Sequence, residues 1–476
     1  MESSSRIDPY DLELDFTRSL QTEENPFLTT EEALTWLYQK REETTVNIKE
    51  IPFADMAKWG FDEEGNLRHN SGKFFSIEGV EVTTNHGWQK QWSQPIINQP
   101  EVGYLGIITK KIDGVLYFLM QAKIEPGNVN YVQFSPTLQA TKSNYTQVHK
   151  GNAPLYLEYF QSSERKVLID QLQSEQGARF LKKRNRNIII LVEDEIEVLS
   201  NFCWLTLGQI NKLMTMDNVV NMDTRTVVAG IPLSETLFDS MKKSTTSRAA
   251  VINARIEAED RSMHSRVELI SWITSQKTHY EMDSRSIPMN EVENWVKDDY
   301  SIHHPSGNFF SVIATEVEIG NREVQRWTQP IIKPAQDGII AFLTYRFYGL
   351  THFLVQAKVE VGNFDIVELA PSVQCITGSY KKANPENQPP FLENVLNADT
   401  TKVLFDSKQS EEGGRFYREQ NRSLVIELDE MPESLPKNYI WMSYDQLKTF
   451  IQFNNYLNIQ SRSLLAMYGH YLGKGE

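Results

Sequence analysis

Apolar side chains recur at helical spacing over residues 31–41, where Ala33, Leu34, Trp36 and Leu37 follow a Thr-Thr-Glu-Glu start signal. A matching helix is expected over 266–274, with Trp272 in the place of Trp36. Pro52 and Pro288 then interrupt the pattern, and a second short helix is predicted around Trp59 and around Trp295. Runs that alternate or stay apolar follow at 74–82, 105–109, 116–123 and 129–134. They predict strands, with Asp113-Gly114 as a hairpin turn between two of them. Residues 339–345 and 352–360 repeat this arrangement across Tyr348-Gly349. A helix is then expected to lead into a buried strand at 188–193, matched at 423–428, and amphipathic helices begin near Thr206 and Ser443.

The pattern occurs twice because the sequence does. Trp92-Ser93-Gln94-Pro95-Ile96-Ile97 returns 235 residues later as Trp327-Thr328-Gln329-Pro330-Ile331-Ile332. Gln121-Ala122-Lys123 and Gly127-Asn128 return at the same offset as Gln356-Ala357-Lys358 and Gly362-Asn363. Ser174-Glu175-Gln176-Gly177-Ala178-Arg179-Phe180 pairs with Ser410-Glu411-Glu412-Gly413-Gly414-Arg415-Phe416. This predicts an α+β protein in which one mixed sheet with flanking helices is present twice. The expected units are a first repeat at 1–235, a polar connector at 236–262 that the repeat does not match, and a second repeat at 263–476.

With 476 residues, 40% of them hydrophobic, each repeat has the means to bury a full core. The net charge of −15 argues against a sequence-independent grip on nucleic acid. Two cysteines without metal-type spacing, no signal-like start and no apolar run of membrane length point to a cytoplasmic protein that is not membrane-bound.

The richest cluster of hydrogen-bonding side chains follows the strand block. It comprises Thr141, Lys142, Ser143, Asn144, Tyr145, Thr146 and His149 in the first repeat, and Gly378, Ser379 and Tyr380 in the second. Such a loop suits a polyhydroxylated or phosphorylated ligand, and equally a structural turn. Arg179, Lys182, Lys183 and Arg186 fall at i, i+3, i+4 and i+7, the spacing of one helix face. Arg179 and Arg415 are the better phosphate candidates, since each sits between small residues and a core phenylalanine, in Gly177-Ala178-Arg179-Phe180 and Gly413-Gly414-Arg415-Phe416, and Ser174 is a further binding candidate. Trp59 and Trp295 are stacking candidates for a planar base, with core packing as the plainer role. Tyr145, Tyr380 and His149, the last replaced by Asn384 in the second repeat, are the candidates for proton transfer; Glu158 and Glu411 are weaker ones. No dinucleotide fingerprint, P-loop, zinc-spaced histidine pair or Gly-x-Ser-x-Gly elbow occurs, so side-chain chemistry without cofactor or metal is expected.

The phrases Trp-x-Gln-Pro-Ile-Ile, Gln-Ala-Lys-x-Glu-x-Gly-Asn and Ser-Glu-x-Gly-x-Arg-Phe, each present twice, together with the single Ser-Asn-Tyr-Thr-x-Val-His, resemble the NDP-hexose 2,3-dehydratase family from about residue 27 to 469. The resemblance implies a tandem duplication of a Nudix-like fold acting on a dTDP-linked 4-keto-6-deoxyhexose in deoxysugar biosynthesis. It also implies a homodimer and coupling to a 3-ketoreductase. The glutamate-rich Nudix metal box is missing, so diphosphate hydrolysis is the weakest expectation, behind non-catalytic nucleotide-sugar binding. Two ligand sites with one catalytic repeat is the arrangement that the differences between the copies predict.

Overall fold

The computed structural model describes residues 8–87, 89–145, 153–243, 247–320, 326–376 and 388–472. Both predicted entry helices form. Thr29 and Glu32 make a capping box on Thr30–Glu42, and Ser265 and Glu268 do the same for Arg266–His279. Each repeat then builds a seven-stranded mixed sheet. In the first, Lys166–Ser174 pairs antiparallel with Arg184–Leu191, which runs parallel to Gly103–Ile112. Val115–Ile124 and Phe202–Thr206 extend that sheet, with Val132–Ser135 and Leu138–Ala140 paired onto its central strands. The second repeat has the same order from Val403–Ser410 to Tyr439–Ser443. The hairpins turn where expected, because Asp113 and Gly114 (φ 49° and 82°) and Tyr348 and Gly349 (φ 45° and 75°) all take the positive φ of a tight turn.

The repeats are interwoven. Val46–Ile51 of the first repeat adds to Ser311–Ile319 in a five-stranded sheet of the second. Met282–Ile287 of the second adds to Ser76–Thr84 of the first in the same way. Helices Leu207–Met214, Met222–Ala229, Tyr444–Phe450 and Ile459–Tyr468 contribute to one apolar core shared by both repeats, which runs from Phe16 through Phe118 and Phe134 to Phe353 and Tyr468. The connector is ordered as helices Glu235–Lys243 and Arg248–Asp260, which bury Leu237, Val251 and Ala254 against Leu14. Among the described residues no helix is long and apolar enough to cross a membrane.

Two helix expectations are corrected. Around Trp59 and Trp295 only 3-10 turns form, at Phe53–Asp55 and Met289–Glu291, and Trp59 itself opens the strand Trp59–Phe61. The stretch carrying Arg179, Lys182 and Lys183 is a turn, and Arg186 lies on a strand. Contacts between the repeats override the helical spacing there: Lys182 takes a left-handed φ of 48°, and its N–H donates to Gly362 O at 2.8 Å. The four charges therefore diverge. Arg186 pairs with Asp170 at 2.6 Å on the surface, and Lys182 is exposed. Lys183 and Arg179 turn inward on opposite sides.

Candidate active site

A cavity of about 650 Å³ opens on the first repeat's large sheet, with the second repeat supplying part of its wall. Trp59, His69, Phe74 and Phe75 form an aromatic side. Trp59 is buried and stands edge-on to His69 at 5.3 Å, so it is a wall of the cavity more than a free stacking face. Arg326, Trp327, Thr328 and Gln329 enter from the second repeat, and so do Glu412, Gly414 and Arg415.

The crossing of two glycine turns puts those last three there. Gly127 N–H donates to Gly413 O at 2.7 Å, and Gly362 N–H donates to Gly177 O at 2.7 Å. A Cβ on Gly127 would lie 1.8 Å from Phe416 O, and one on Gly362 would lie 1.7 Å from Phe180 O. The Gly-Asn phrase is repeated because neither docking tolerates a side chain. Each turn thus serves both halves. In the first, Glu175 faces the cavity, while Gln176 donates to Glu411 of the second repeat and the Arg179 guanidinium lies over Phe310 at 4.3 Å. In the second, Glu412 and Arg415 enter the cavity, with the Arg415 guanidinium over Phe75 at 4.1 Å and hydrogen-bonded to Gln99.

Four carboxyl groups line the cavity. Burial raises Glu175, despite Arg462, Lys183 and the Asn185 amide at 2.7 Å. Burial lifts Glu412 to about 7, with Arg415 opposing and Glu125 and Glu175 adding to the rise. Burial and then repulsion from Glu125, Glu412 and Glu175 hold Asp223 well above the carboxylate range. Glu125 stays below its ordinary value because Lys123, Gln139 and Asn128 outweigh its desolvation. Lys183, desolvated, falls to about 8 and donates to Glu101 O. Three of these carboxyl groups are pushed up and one is held down, a spread of proton affinities that acid–base catalysis can use.

The repeat provides a natural comparison. At the equivalent positions of the second half stand Gln176 for Glu412, Gln460 for Asp223 and Glu419 for Lys183. The combination of Glu412, Asp223 and Lys183 therefore occurs in the first-repeat cavity alone among the described residues, while the second repeat's position carries Glu360, Glu411 and Glu419, all raised by burial.

Of the residues expected from sequence, Trp59, Thr141, Gly414 and Arg415 line this cavity. Trp295 packs on Phe310 at 5.0 Å, and Arg179 and Glu411 lie at the second repeat's equivalent position. Ser174 is buried under the strand end and bonded to Glu368, and Gly413 is a docking point between the turns. Tyr145 stands edge-on to Tyr104, its hydroxyl donating to Val102 O at 3.3 Å, and Lys142 and Glu158 are exposed. Thr146, His149, Gly378, Ser379 and Tyr380, and the side chains of Ser143 and Asn144, lie outside the described residues. Sequence reasoning missed Glu125, Glu175, Asp223 and Glu412 as a group. The usable signal was the mismatch between copies at Gln176/Glu412 and Asp223/Gln460.

Residues 30–231 and 266–468 match the model of a family described as NDP-hexose 2,3-dehydratase. A dTDP-4-dehydro-6-deoxy-alpha-D-glucopyranose 2,3-dehydratase from Saccharopolyspora spinosa is 46% identical over 93% of this chain and 92% of its own length. Enzymes of the same name from Amycolatopsis orientalis and Streptomyces violaceoruber are 40% and 41% identical, covering 94% and 90% of this chain and 92% and 95% of their own.

Proposed function

The chain belongs to the NDP-hexose 2,3-dehydratase family, and from that premise we propose how its first-repeat cavity removes water from a dTDP-4-keto-6-deoxyglucose. The C4 ketone acidifies the C3–H bond. A base takes that proton and the electron pair forms an enolate on the C4 oxygen. As the carbonyl re-forms, the C2–O bond breaks and the leaving hydroxide takes a proton to become water. The remaining C2=C3 enol tautomerises to a 3,4-diketo-2,6-dideoxysugar. Three groups are needed, and the cavity offers three of suitable proton affinity. Glu412, poised near neutrality, is the base at C3. The Lys183 ammonium steadies charge on the C4 oxygen. Asp223, held protonated by its burial and then by its carboxylate neighbours, donates to the departing hydroxyl.

Arg415 and Arg326 are the cations for the diphosphate, and the aromatic wall is the seat of the thymine. Thr141 begins the polar loop, so the adjoining short helix Lys142–Tyr145 belongs to the sugar end of this proposal. The equivalent position in the second repeat, with Arg179, Trp295 and Glu411, is proposed as a second ligand site without elimination chemistry.

The single observation that carries this reading is the asymmetry: Glu412, Asp223 and Lys183 converge on one cavity, and their repeat partners are Gln176, Gln460 and Glu419. The proposal extends to a Nudix-like sheet in each repeat and a cytoplasmic homodimer, for which the family likeness is the support. A diketo product is reactive at C3, so an NAD(P)H-type 3-ketoreductase must consume it. Incubation with dTDP-4-keto-6-deoxyglucose followed by mass spectrometry tests the function. Loss of one water, or release of free dTDP as the diketo sugar breaks down, is expected; unchanged substrate would refute it.

A further inference from the structure

We propose that Glu368, a buried carboxylate outside the cavity, is a positioning residue that tunes Glu175 by dividing the charge of Arg462 between them. The inference rests on the reading that the first-repeat cavity is catalytic.

Glu368 lies on the second repeat's strand Val367–Ala370 and is 1% exposed. Its Oε2 accepts from Ser174 Oγ at 2.7 Å, and Ser174 is the residue before Glu175. Its Oε1 is buried without a hydrogen-bond partner among the described residues. Ser174 O accepts from Arg462 Nη2 at 2.5 Å, and its hydroxyl lies 3.4 Å from Arg462 Nη1. Arg462 is fully buried on Ile459–Tyr468 and attracts both carboxylates, Glu368 and Glu175. Glu360 and Lys277 also face Glu368. Lys183 and the Asn185 amide face Glu175, and the charges of Glu412 and Asp223 meet it within the cavity. A guanidinium shared by two carboxylates stabilises each less than it would stabilise one alone.

The other repeat shows the same bridge without the charge. Arg225 Nη2 donates to Ser410 O at 2.6 Å, and Ser410 Oγ donates to Gln133 Oε1 at 2.8 Å. Gln133 therefore occupies the position that Glu368 fills, and a glutamine satisfies the architecture. The carboxylate stands only on the bridge that leads into Glu175. Burial pushes Glu368 up to about 7, so its charge changes in the range where the cavity works.

In the full-length enzyme, Glu368→Gln is expected to leave folding intact and give Glu175 the whole of Arg462. Glu175 then ionises at lower pH, and because its charge raises Glu412, the acid limb of kcat/KM moves about one pH unit higher, with the plateau within about threefold of wild type. Ser174→Ala, which breaks the bridge, shifts the limb in the same direction. Infrared titration of the buried carboxyl groups, with the Glu175 band assigned by Glu175→Gln, reads the downward displacement of Glu175 directly and without turnover. A Glu175 band that titrates unchanged in well-folded Glu368→Gln overturns the inference. Glu412→Gln separates the two failures: full turnover in that variant refutes the catalytic reading, while the infrared titration still decides the link to Glu368.

Discussion

The rings of Phe180 and Phe416, the same residue of the two repeats, meet edge to face at 5.8 Å where the glycine turns cross. Around that contact each turn hands one carboxyl to its own half and a neighbouring side chain to the other. The joining of the repeats and the proposed binding and proton-transfer groups therefore share the same few residues.

Gly127→Ala tests the joining. The added methyl would meet two carbonyl oxygens, Phe416 O at 1.8 Å and Gly413 O at 2.5 Å, neither of which can rotate away. The expected loss in urea denaturation is about 2 kcal/mol or more, in the range of overpacking a rigid site. Gly60→Ala is the control, since nothing stands within 4 Å of its Cβ, and it is expected to change stability by no more than about 0.5 kcal/mol.

Glu412→Gln tests the chemistry. The amide keeps the shape of the Gln176 found in the other turn but cannot take a proton, so kcat should fall about 10²- to 10⁴-fold. Calorimetric dTDP binding should survive. A variant that turns over normally would remove Glu412 from the base position.

The pH–rate profile should be a narrow bell. A base at about 7 must be deprotonated, so the rate falls as pH drops below that value. Lys183 at about 8 must be charged, so the rate falls again above it. Lys183→Met should lower the plateau and abolish the alkaline limb. The limbs belong to the coupled set and not to one side chain alone.

Arg415→Ala should raise KM by about tenfold or more with a smaller loss of kcat, because a diphosphate contact is made in ground and transition states alike. Arg179→Ala, acting on the second repeat's position, should affect KM less and lower the number of dTDP molecules bound at saturation. Equal KM effects from the two would contradict the assignment of the first cavity.

Stability should fall as pH rises from about 5 to 8. Burial and Glu419 raise Glu411 to about 8, and burial raises Glu368 and Asp445 to about 7. The folded state therefore keeps protons that the unfolded chain releases, so this contribution is fully present below about 4.5 and is lost through 7 to 8. Lys448, which burial lowers to about 7, acts oppositely and returns stability above that pH. Urea midpoints at several pH values check the sign, and Glu411→Gln should flatten the descent.

Local signals were legible where local physics decides. The Thr29/Glu32 and Ser265/Glu268 caps fixed two helix starts, and Asp113-Gly114 fixed a hairpin. The Arg179–Arg186 spacing misled because backbone bonds from Ile97 and Gly362, far away in sequence, impose a turn there. Arg415 was readable beside its glycines; Glu412 was not, because its place in the first repeat's cavity depends on a crossing between repeats that no window of sequence contains. Asp223 looks like an ordinary helix-start residue until Glu125, Glu175 and Glu412 are brought around it.

The exchange of Val46–Ile51 and Met282–Ile287 between halves also carries a history. An ancestor with a single repeat could complete this architecture only as a symmetric pair, each partner lending its first strand to the other. In such a pair both cavities would be identical, and every substitution would strike them together. Fusion into one chain ended that constraint, and equivalent positions such as Glu412 and Gln176 could part company.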